Sequence, residues 1–240
     1  MNVLIACEES QRVCAAFREK GYTAYSCDIE KCGGGHQEWH INGDVLPLLN
    51  GKCSFITQDG AKQKIEDRWD LIIAHPPCTY LTVTGNRWFD TGKYGKYAWD
   101  RMTERNKAIG FFYRFVMADC DHIAIENPCG IMSTAYRKPD QTIQPYMFGD
   151  PFEKKTCLWL KGLIPLLPTN IVKPQQRKVF KSGKSLPAWF VELKKEERSK
   201  ERSRTFQGIA NAMAEQWGNF ISTENQIAET TNAKEDEDYV

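Results

Sequence analysis

The chain has 240 residues and a formal net charge of +1. With 41% hydrophobic and 26% charged residues, it has the composition of one globular α/β domain and not of a fibrous or disordered protein. No apolar run is long enough to span a membrane. Nine cysteines without a framework of spacings favour a reducing compartment over a disulfide scaffold. We therefore expect a cytoplasmic protein.

The amino-terminal residues have the pattern of a strand, a helix and a second strand. Asn2–Cys7 is apolar and β-branched, and Ser10–Lys20 is expected to be a helix with its first residue as N-cap. Thr23–Asp28 is the next predicted strand. Asp28 follows the first strand–helix turn by about twenty residues, the spacing at which a carboxylate meets a ribose hydroxyl in nucleotide-binding folds.

Four possible metal ligands surround the consecutive glycines of residues 33–35. Their Cys-x4-Cys-x3-His-x3-His spacing has a shorter central loop than a zinc finger, and the first cysteine belongs to a predicted strand. A metal site and a glycine loop that wraps a ligand both stay open, and we predict no metal. The four residues are Cys27, Cys32, His36 and His40.

The run Asp70–Ala74 is apolar without a helical period, which is typical of a strand buried on both faces of a parallel sheet. Pro76 and Pro77 end it, because proline cannot donate to a ladder. They place Cys78 just beyond the carboxyl end of the strand, where ligands bind in open α/β sheets. Cys78 is then either a nucleophile or one of the inert, buried cysteines that are common in cores.

A second buried strand, His122–Pro128, closes on a carboxylate, an amide and a proline. Glu126 at this end is either a functional carboxylate or a strand-end ion pair. Between the two strands, residues 79–105 contain three glycines, basic side chains and six aromatic residues, and they predict a mobile loop that closes over a substrate. An inserted hairpin is expected earlier, over Cys53–Ile65, with its turn at Asp59 and Gly60.

The Pro-Pro-Cys and Glu-Asn-Pro strand ends together resemble the two catalytic signatures of the DNA cytosine-5 methyltransferase family. Other similarities follow in the family's order over about residues 1–220. Gly43–Val45 resembles a cofactor motif whose aspartate accepts from the adenine amine, and residues 198–217 resemble the last motif, whose Asn-Ala helix closes the cofactor pocket.

Two segments depart from the family pattern. The first turn, Cys7–Gln11, has none of the usual glycines. Residues 144–160 resemble the eighth motif, but Phe152, Lys154 and Thr156 replace a glutamine and two arginines. An acidic first turn is still suited to the positive sulfonium and ammonium of S-adenosylmethionine.

The resemblance implies a Rossmann-like S-adenosylmethionine-dependent methyltransferase fold, α/β, with a mostly parallel sheet flanked by helices. It implies methylation of cytosine C5 in DNA, in which Cys78 adds to C6, Glu126 binds and protonates N3, and Asn127 shapes the turn. The residues implied to bind the cofactor are Cys7, Glu8, Asp28, Asp44, His75, Pro76 and Asn211. Those implied to bind the substrate are Thr79, Arg87 and Lys154.

The resemblance also implies one catalytic domain over residues 1–220. Residues 161–205 form a reduced target-recognition or connecting region, in which Lys173–Lys184 can hold phosphates but offers little room for direct base readout. Residues 221–240 are polar and acidic, and we expect a disordered tail.

Other functions stay open. A non-catalytic relative that binds nucleic acid is compatible with the missing glycines. Methyltransferases of exocyclic amines also use a Pro-Pro corner, but His75 and Cys78 do not match their flanking residues. The substrate is a cytosine flipped from duplex DNA, one in a single strand, or a free nucleotide. The sequence indicates neither a recognition site nor an oligomeric state.

Overall fold

The computed structural model describes residues 1–193, 201 and 203–237, without the side chains of residues 229 and 231–237. A seven-stranded sheet forms its centre, in the order β3-β2-β1-β6-β7-β9-β8. β9 runs antiparallel to both of its neighbours, and the other described strands of this sheet share one direction. The strands are β1 Asn2–Ala6, β2 Thr23–Asp28, β3 His40–Asn42, β6 Leu71–Ala74, β7 Ile123–Pro128, β8 Gln141–Ile143 and β9 Thr156–Lys161.

Two antiparallel hairpins stand outside the sheet, and helices cover both of its faces. The hairpins are β4 Cys53–Ile56 with β5 Lys62–Ile65, and β10 Arg177–Val179 with β11 Ser185–Pro187. The helices are α1 Arg12–Glu19, α2 Thr91–Tyr94, α3 Lys96–Val116, α4 Met132–Ala135, α5 Ala188–Glu192 and α6 Gln207–Glu237.

Alternating side chains of the central strands form two hydrophobic layers. Leu4 and Ile72 face the layer that contains Phe112 of α3. Their chain neighbours point to the opposite face, because successive side chains in a strand alternate. That second layer contains Phe17 of α1 and Trp217 of α6. Burying a large apolar side chain contributes roughly 1.5–3 kcal/mol, so both helical layers are needed to hold the sheet.

The predicted fold class is confirmed. If only the strands of the main sheet are counted in chain order, the sequence of neighbours is 3-2-1-4-5-7-6, with the seventh strand inserted antiparallel. This is a Rossmann-like, mostly parallel α/β sheet flanked by helices, as the methyltransferase resemblance implied. Strands β1, β2, β6 and β7 start and end within about two residues of the predicted limits.

The start of α1 differs from the prediction. Its N-cap is Gln11, which has a left-handed φ of 58° and makes no side-chain cap. Instead, the Glu8 carboxylate accepts hydrogen bonds from the backbone N–H groups of Val13 and Cys14, at 2.7 and 3.1 Å. Glu8 therefore caps α1 in place of Ser10, because its buried carboxylate satisfies two free N–H groups and interacts favourably with the helix dipole.

The end of the chain also differs from the prediction. Helix α6 continues to Glu237 through the segment expected to be disordered. Its first half is buried through Ile209, Met213, Trp217 and Ile221. Packing there nucleates the helix, and propagation through Glu, Gln, Ala and Lys is inexpensive. Residues 238–240 of the tail, and 194–200 and 202 of the connecting region, lie outside the described residues. No helix in the described part is long and apolar enough to cross a membrane.

Candidate active site

The corner after β6 is fixed by backbone hydrogen bonds at both of its ends. The His75 N–H donates to the Ala6 carbonyl at 2.9 Å, which ties the end of β6 to the end of β1. Beyond the two prolines, the N–H groups of Leu81 and Thr82 donate to the Cys78 carbonyl at 2.9 and 3.1 Å. Cys78 therefore lies in a short, closed turn at the carboxyl edge of the sheet.

The turn that carries Cys78 is joined to the loop after β7. The Ile131 N–H donates to the Leu81 carbonyl at 2.8 Å, and the Val83 N–H donates to the Cys129 carbonyl at 3.2 Å. Gly130 lies at the crossing, where the two backbones are too close to accommodate a side chain. Asn127 adds a third connection, because its Nδ2 donates to the Pro76 carbonyl at 2.7 Å. The two predicted catalytic segments are thus held in one fixed relationship.

The carboxylate of Glu126 is buried and paired with His75. The distance from Glu126 Oε2 to His75 Nδ1 is 3.1 Å, and the two side chains are only 11% and 8% exposed. Burial favours the neutral carboxyl, but the hydrogen bond from His75 and the charge of Lys154 outweigh it and lower the pKa of Glu126. Glu126 is therefore a carboxylate at neutral pH.

Cys78 lies within electrostatic reach of the same carboxylate. Burial and the charge of Glu126 raise the pKa of the Cys78 thiol, and the charge of Lys154 partly opposes them. Cys78 is consequently a thiol in the resting protein, and it needs to lose its proton when it reacts. The structure brings together a potential nucleophile, a carboxylate and a cation.

Lys154 reaches this cluster from the segment before β9. Its Nζ donates to the Arg204 carbonyl at 3.0 Å, which connects that segment to the start of α6. A small cavity separates the two elements and opens beside the carboxylate. Lys154, predicted to bind the substrate, therefore lies beside both predicted catalytic groups. The cavity is lined by Glu126, Lys154, Thr156, Thr205, Phe206 and Ile209.

The predicted cofactor turn after β1 has an unusual backbone. Cys7 has a left-handed φ of 60°, and its N–H donates to the Cys27 carbonyl at 2.8 Å. Glu8 points inward to α1 and next to His75, whose charge acts against the burial that raises the pKa of Glu8. Glu9 forms an ion pair with Arg204, at 3.7 Å. The turn therefore contributes one buried and one paired carboxylate.

This turn has no glycines of its own, but two glycines from another segment of the chain pack against it. The Gly33 N–H donates to the Glu9 carbonyl at 2.8 Å. A Cβ on Gly33 would lie 2.2 Å from Glu9 Oε2, and one on Gly34 would lie 2.5 Å from the Cβ of Gln11. The glycine loop after β2 packs directly on the first turn, so its glycines permit a close approach that the turn itself does not.

Asp28 and Asp44 lie near Cys7 at the ends of β2 and β3, since both carboxylates help to raise the pKa of its buried thiol. Burial raises the pKa of Asp28, and its Oδ1 accepts the Glu30 N–H at 2.9 Å. Asp44 Oδ1 accepts the Leu46 N–H at 3.0 Å. These carboxylates would repel a phosphate, but they suit the hydroxyls, amine and positive charge of S-adenosylmethionine. The donor set therefore fits that cofactor.

The possible metal ligands have other partners. Cys32 Sγ donates to Gln11 Oε1 at 2.9 Å, and His36 Nδ1 contacts Glu38 at 2.9 Å. His40 lies between Ser26 Oγ and the Glu30 carbonyl, 2.9 Å from each. Within the described residues, no group of three or more ligand side chains has a metal-binding arrangement.

Three predicted site residues lie outside these clusters. Asn211 is on the exposed face of α6 and accepts from Gln207 Nε2 at 2.8 Å, because Ile209 and Met213 occupy the buried face. Thr79 is exposed beside the corner. Arg87 is also exposed, with its guanidinium 4.5 Å from the centre of the Trp88 ring.

The segment after Cys78, predicted to be a mobile loop, is largely helical. A 3-10 helix spans Val83–Phe89, and α2 and the start of α3 follow. Arg105 is the anchor that the sequence analysis had not identified: its guanidinium stacks 3.4 Å from the Phe89 ring centre, and its Nε donates to the Tyr80 carbonyl at 2.8 Å. The alternation of cations and aromatic residues in this segment could have indicated the contact, because cationic side chains stack on aromatic rings.

No family model matches the sequence, and no curated protein matches it. Among solved structures, the chain is similar to a protein described as a candidate DNA modification methyltransferase encoded within a prophage of Escherichia coli. The alignment covers 73% of this chain and 53% of the other, with 18% identity and a TM-score of 0.45. This chain thus spans about half the length of that protein, and the likeness carries no argument about activity.

Proposed function

We propose that this protein is a DNA methyltransferase that acts on cytosine C5 through a covalent adduct with Cys78. The observation that carries the proposal is the convergence of Cys78, Glu126 and Lys154 at one edge of a methyltransferase-type sheet. A thiol on a rigid corner can add to an electron-poor carbon and leave again. A buried carboxylate beside it can bind the polar edge of a cytosine.

In this proposal, Cys7, Asp28 and Asp44 bind S-adenosylmethionine at the ends of the first three strands of the sheet. When bound, this cofactor supplies an electrophilic methyl group. The end of β1 is joined to the end of β6 through the bond from His75 to Ala6. Cofactor and nucleophile would therefore share the crevice outside the carboxyl ends of the strands, where ligands of this fold bind.

Cytosine C5 is a poor nucleophile until a group adds at C6. Cys78 makes that addition, and Glu126 contacts N3 and the exocyclic amine, so that charge displaced from the ring is drawn to N3. Lys154 stabilises the negative charge of both groups. Once C5 carries a methyl group, loss of its proton allows Cys78 to leave and restores the aromatic ring.

The target base must be outside a duplex stack for Cys78 to reach C6. We propose that DNA lies across the segment that follows Cys78 and the β10–β11 hairpin. The first presents two exposed cations, Arg87 and Lys93, and the exposed rings of Tyr97 and Trp99. The hairpin carries three exposed lysines, Lys178, Lys181 and Lys184. Cations of this kind bind phosphates, and exposed rings stack on unpaired bases.

The test is a short DNA in which cytosine carries fluorine at C5, mixed with S-adenosylmethionine. Because fluorine cannot leave as a cation, elimination is blocked and the DNA stays bonded to the enzyme. We expect an adduct that survives a denaturing gel and maps to Cys78 by peptide mass spectrometry. Cys78→Ser should abolish it, because a serine hydroxyl is a far weaker nucleophile at neutral pH.

Cys53→Ser is the matched control, because Cys53 is a half-buried thiol on the separate β4–β5 hairpin. That variant should form the adduct at the wild-type rate. If Cys78→Ser still methylates DNA at the wild-type rate, the covalent mechanism is rejected and an exocyclic amine becomes the candidate acceptor. If the wild type binds S-adenosylmethionine but modifies no DNA, a non-catalytic role replaces the proposal.

A further inference from the structure

His75 has a position that the proposed chemistry does not yet explain. It follows β6 directly, and its imidazole is buried between carboxylates from two other elements. On the side of β7 its Nδ1 is 3.1 Å from Glu126 Oε2. On the side of the β1–α1 turn lies Glu8, whose pKa is raised by burial and is partly lowered again by the charge of His75.

The charge of Glu126 creates a chemical difficulty that His75 can remove. The proposed addition of Cys78 to C6 moves electrons toward N3, which then needs a proton. Glu126 is held as a carboxylate and carries no proton to deliver. The nearest group that can hold one is the imidazole to which Glu126 is hydrogen-bonded, because histidine is the side chain that gains and loses protons near neutral pH.

We propose that His75, in its imidazolium form, supplies through Glu126 the proton that N3 of the target cytosine takes up. His75 does not touch the base in this proposal, so it is a positioning and proton-storing residue that acts through Glu126. The inference rests on the proposed function of the site. It extends that function, because it assigns the proton a source.

The atoms and electrons of the step balance as follows. The Cys78 thiol loses its proton to solvent, and its sulfur forms a bond to C6. The C5–C6 π electrons shift through the ring toward N3. Glu126, a carboxylate, takes the Nδ1 proton of His75 and passes it to N3, so that a carboxylate and a neutral imidazole are paired afterwards. When the aromatic ring is restored, N3 loses this proton to solvent, and solvent returns a proton to His75.

Titratable groups face His75 from three other elements of the structure. Glu126 and Glu8 face it from β7 and from the β1–α1 turn, and Lys154 approaches Glu126 from the segment before β9. Cys78 follows it in the same corner and is a neutral thiol at rest. Among the described residues, His75 Nε2 is buried without a hydrogen-bond partner, so Nδ1 is the nitrogen through which it acts.

The pH profile of adduct formation tests the proposal. The rate is measured with saturating 5-fluorocytosine DNA and S-adenosylmethionine, so that binding does not contribute. It should follow the product of the Cys78 thiolate fraction, which rises with pH, and the imidazolium fraction, which falls. The two trends cancel once His75 begins to lose its proton. The wild-type rate should therefore rise with pH and then level off.

His75→Asn is the informative variant, because its Nδ2 can replace the Nδ1 donor but cannot deliver a proton. We expect the rate near neutral pH to fall by about 10- to 100-fold, the lower part of the range for general acid catalysis. Its log rate should keep rising by about one unit per pH unit, without levelling, because only the thiol still titrates. In His75→Gln the longer side chain moves the amide away from the position of Nδ1. The slope of its log rate against pH should be the same as that of His75→Asn.

The control is His122→Asn, because His122 is also paired with a glutamate, Glu224 at 2.9 Å, but precedes the opposite end of β7. Its profile should match that of the wild type. A wild-type rate that rises steadily without levelling rejects the inference, even if the His75 variants do not fold. So does a His75→Asn profile equal to that of the wild type. Absence of an adduct from the wild type at every pH rejects the proposed function itself.

Discussion

Gly130 and Leu81 approach so closely that a Cβ added to Gly130 would lie 1.9 Å from the Leu81 carbonyl oxygen. The same carbonyl accepts the Ile131 N–H at 2.8 Å, so neither backbone can move without losing this bond. This crossing sets the distance between the turn of Cys78 and the strand end of Glu126. The site depends on it, although neither residue carries catalytic chemistry.

Gly130→Ala should therefore displace the Cys78 turn. We expect a loss of about 1–3 kcal/mol in the free energy of unfolding, the usual cost of overpacking, measured by urea denaturation. Adduct formation should fall by more than the population of folded protein does, because the nucleophile is misplaced. Gly110→Ala is the control: Gly110 lies in α3 with nothing near its Cβ position, so alanine should preserve activity and add about 0.5–1 kcal/mol of stability. Normal trapping by Gly130→Ala would show that the crossing does not position Cys78.

S-adenosylmethionine should raise the melting temperature of the wild type, because a ligand that binds only the folded state stabilises it by about 2.7 kcal/mol at 100 times its Kd. Asp28→Asn and Asp44→Asn should each reduce that rise, since they remove a negative charge near Cys7 but retain an amide that can cap the local turn. Differential scanning fluorimetry with increasing cofactor measures the effect. Asp59→Asn, in the β4–β5 loop, should leave the rise unchanged. If S-adenosylmethionine raises the melting temperature of none of these proteins, that result contradicts the proposed cofactor site.

The affinity for DNA should fall steeply with salt, because each phosphate contact releases a counterion. Arg87→Ala combined with Lys93→Ala should lower the slope of log K against log salt by about one to two units, at roughly 0.9 for each lost contact. Fluorescence anisotropy at several salt concentrations gives this slope. Lys62→Ala with Lys64→Ala, on β5, removes the same charge from the separate hairpin and should not change it. If the two double variants have equal slopes of log K against log salt, the DNA does not lie on the segment that contains Arg87 and Lys93.

The meeting of Cys78 and Glu126 could be predicted because it depends only on local rules. Buried apolar runs form parallel strands, prolines end them, and the carboxyl ends of adjacent parallel strands share one edge. The two motifs stood at such ends, so their proximity followed once the strands were neighbours, as β6 and β7 are. The same rules predicted the parallel strands β1, β2, β6 and β7, but not the three-residue strands β3 and β8 or the antiparallel direction of β9.

The features that sequence reasoning missed depend on contacts between distant segments. Ser10 has the side chain of an N-cap, but Glu8 captures the free N–H groups of α1 because the chain enters the helix through a left-handed residue. Gly33 and Gly34 replace the glycines of the first turn from a loop more than twenty residues away. Asn211 was expected to face the cofactor, yet the burial of its neighbours sets the rotation of α6. Composition and spacing contain no information about these partners.

The antiparallel direction of β9 limits how the region proposed to recognise the substrate could be exchanged for another. Thr156 pairs with Pro128 at the catalytic edge, so the chain leaves β9 at the far edge and has to return. It returns along the segment that precedes β9: the Val172 N–H donates to the Tyr146 carbonyl at 2.9 Å, and the Gln175 N–H to the Pro151 carbonyl at 2.9 Å. Residues 144–189 therefore form one interlocked module. A graft that replaced only residues 161–205 would separate the incoming loop from the backbone that supports it.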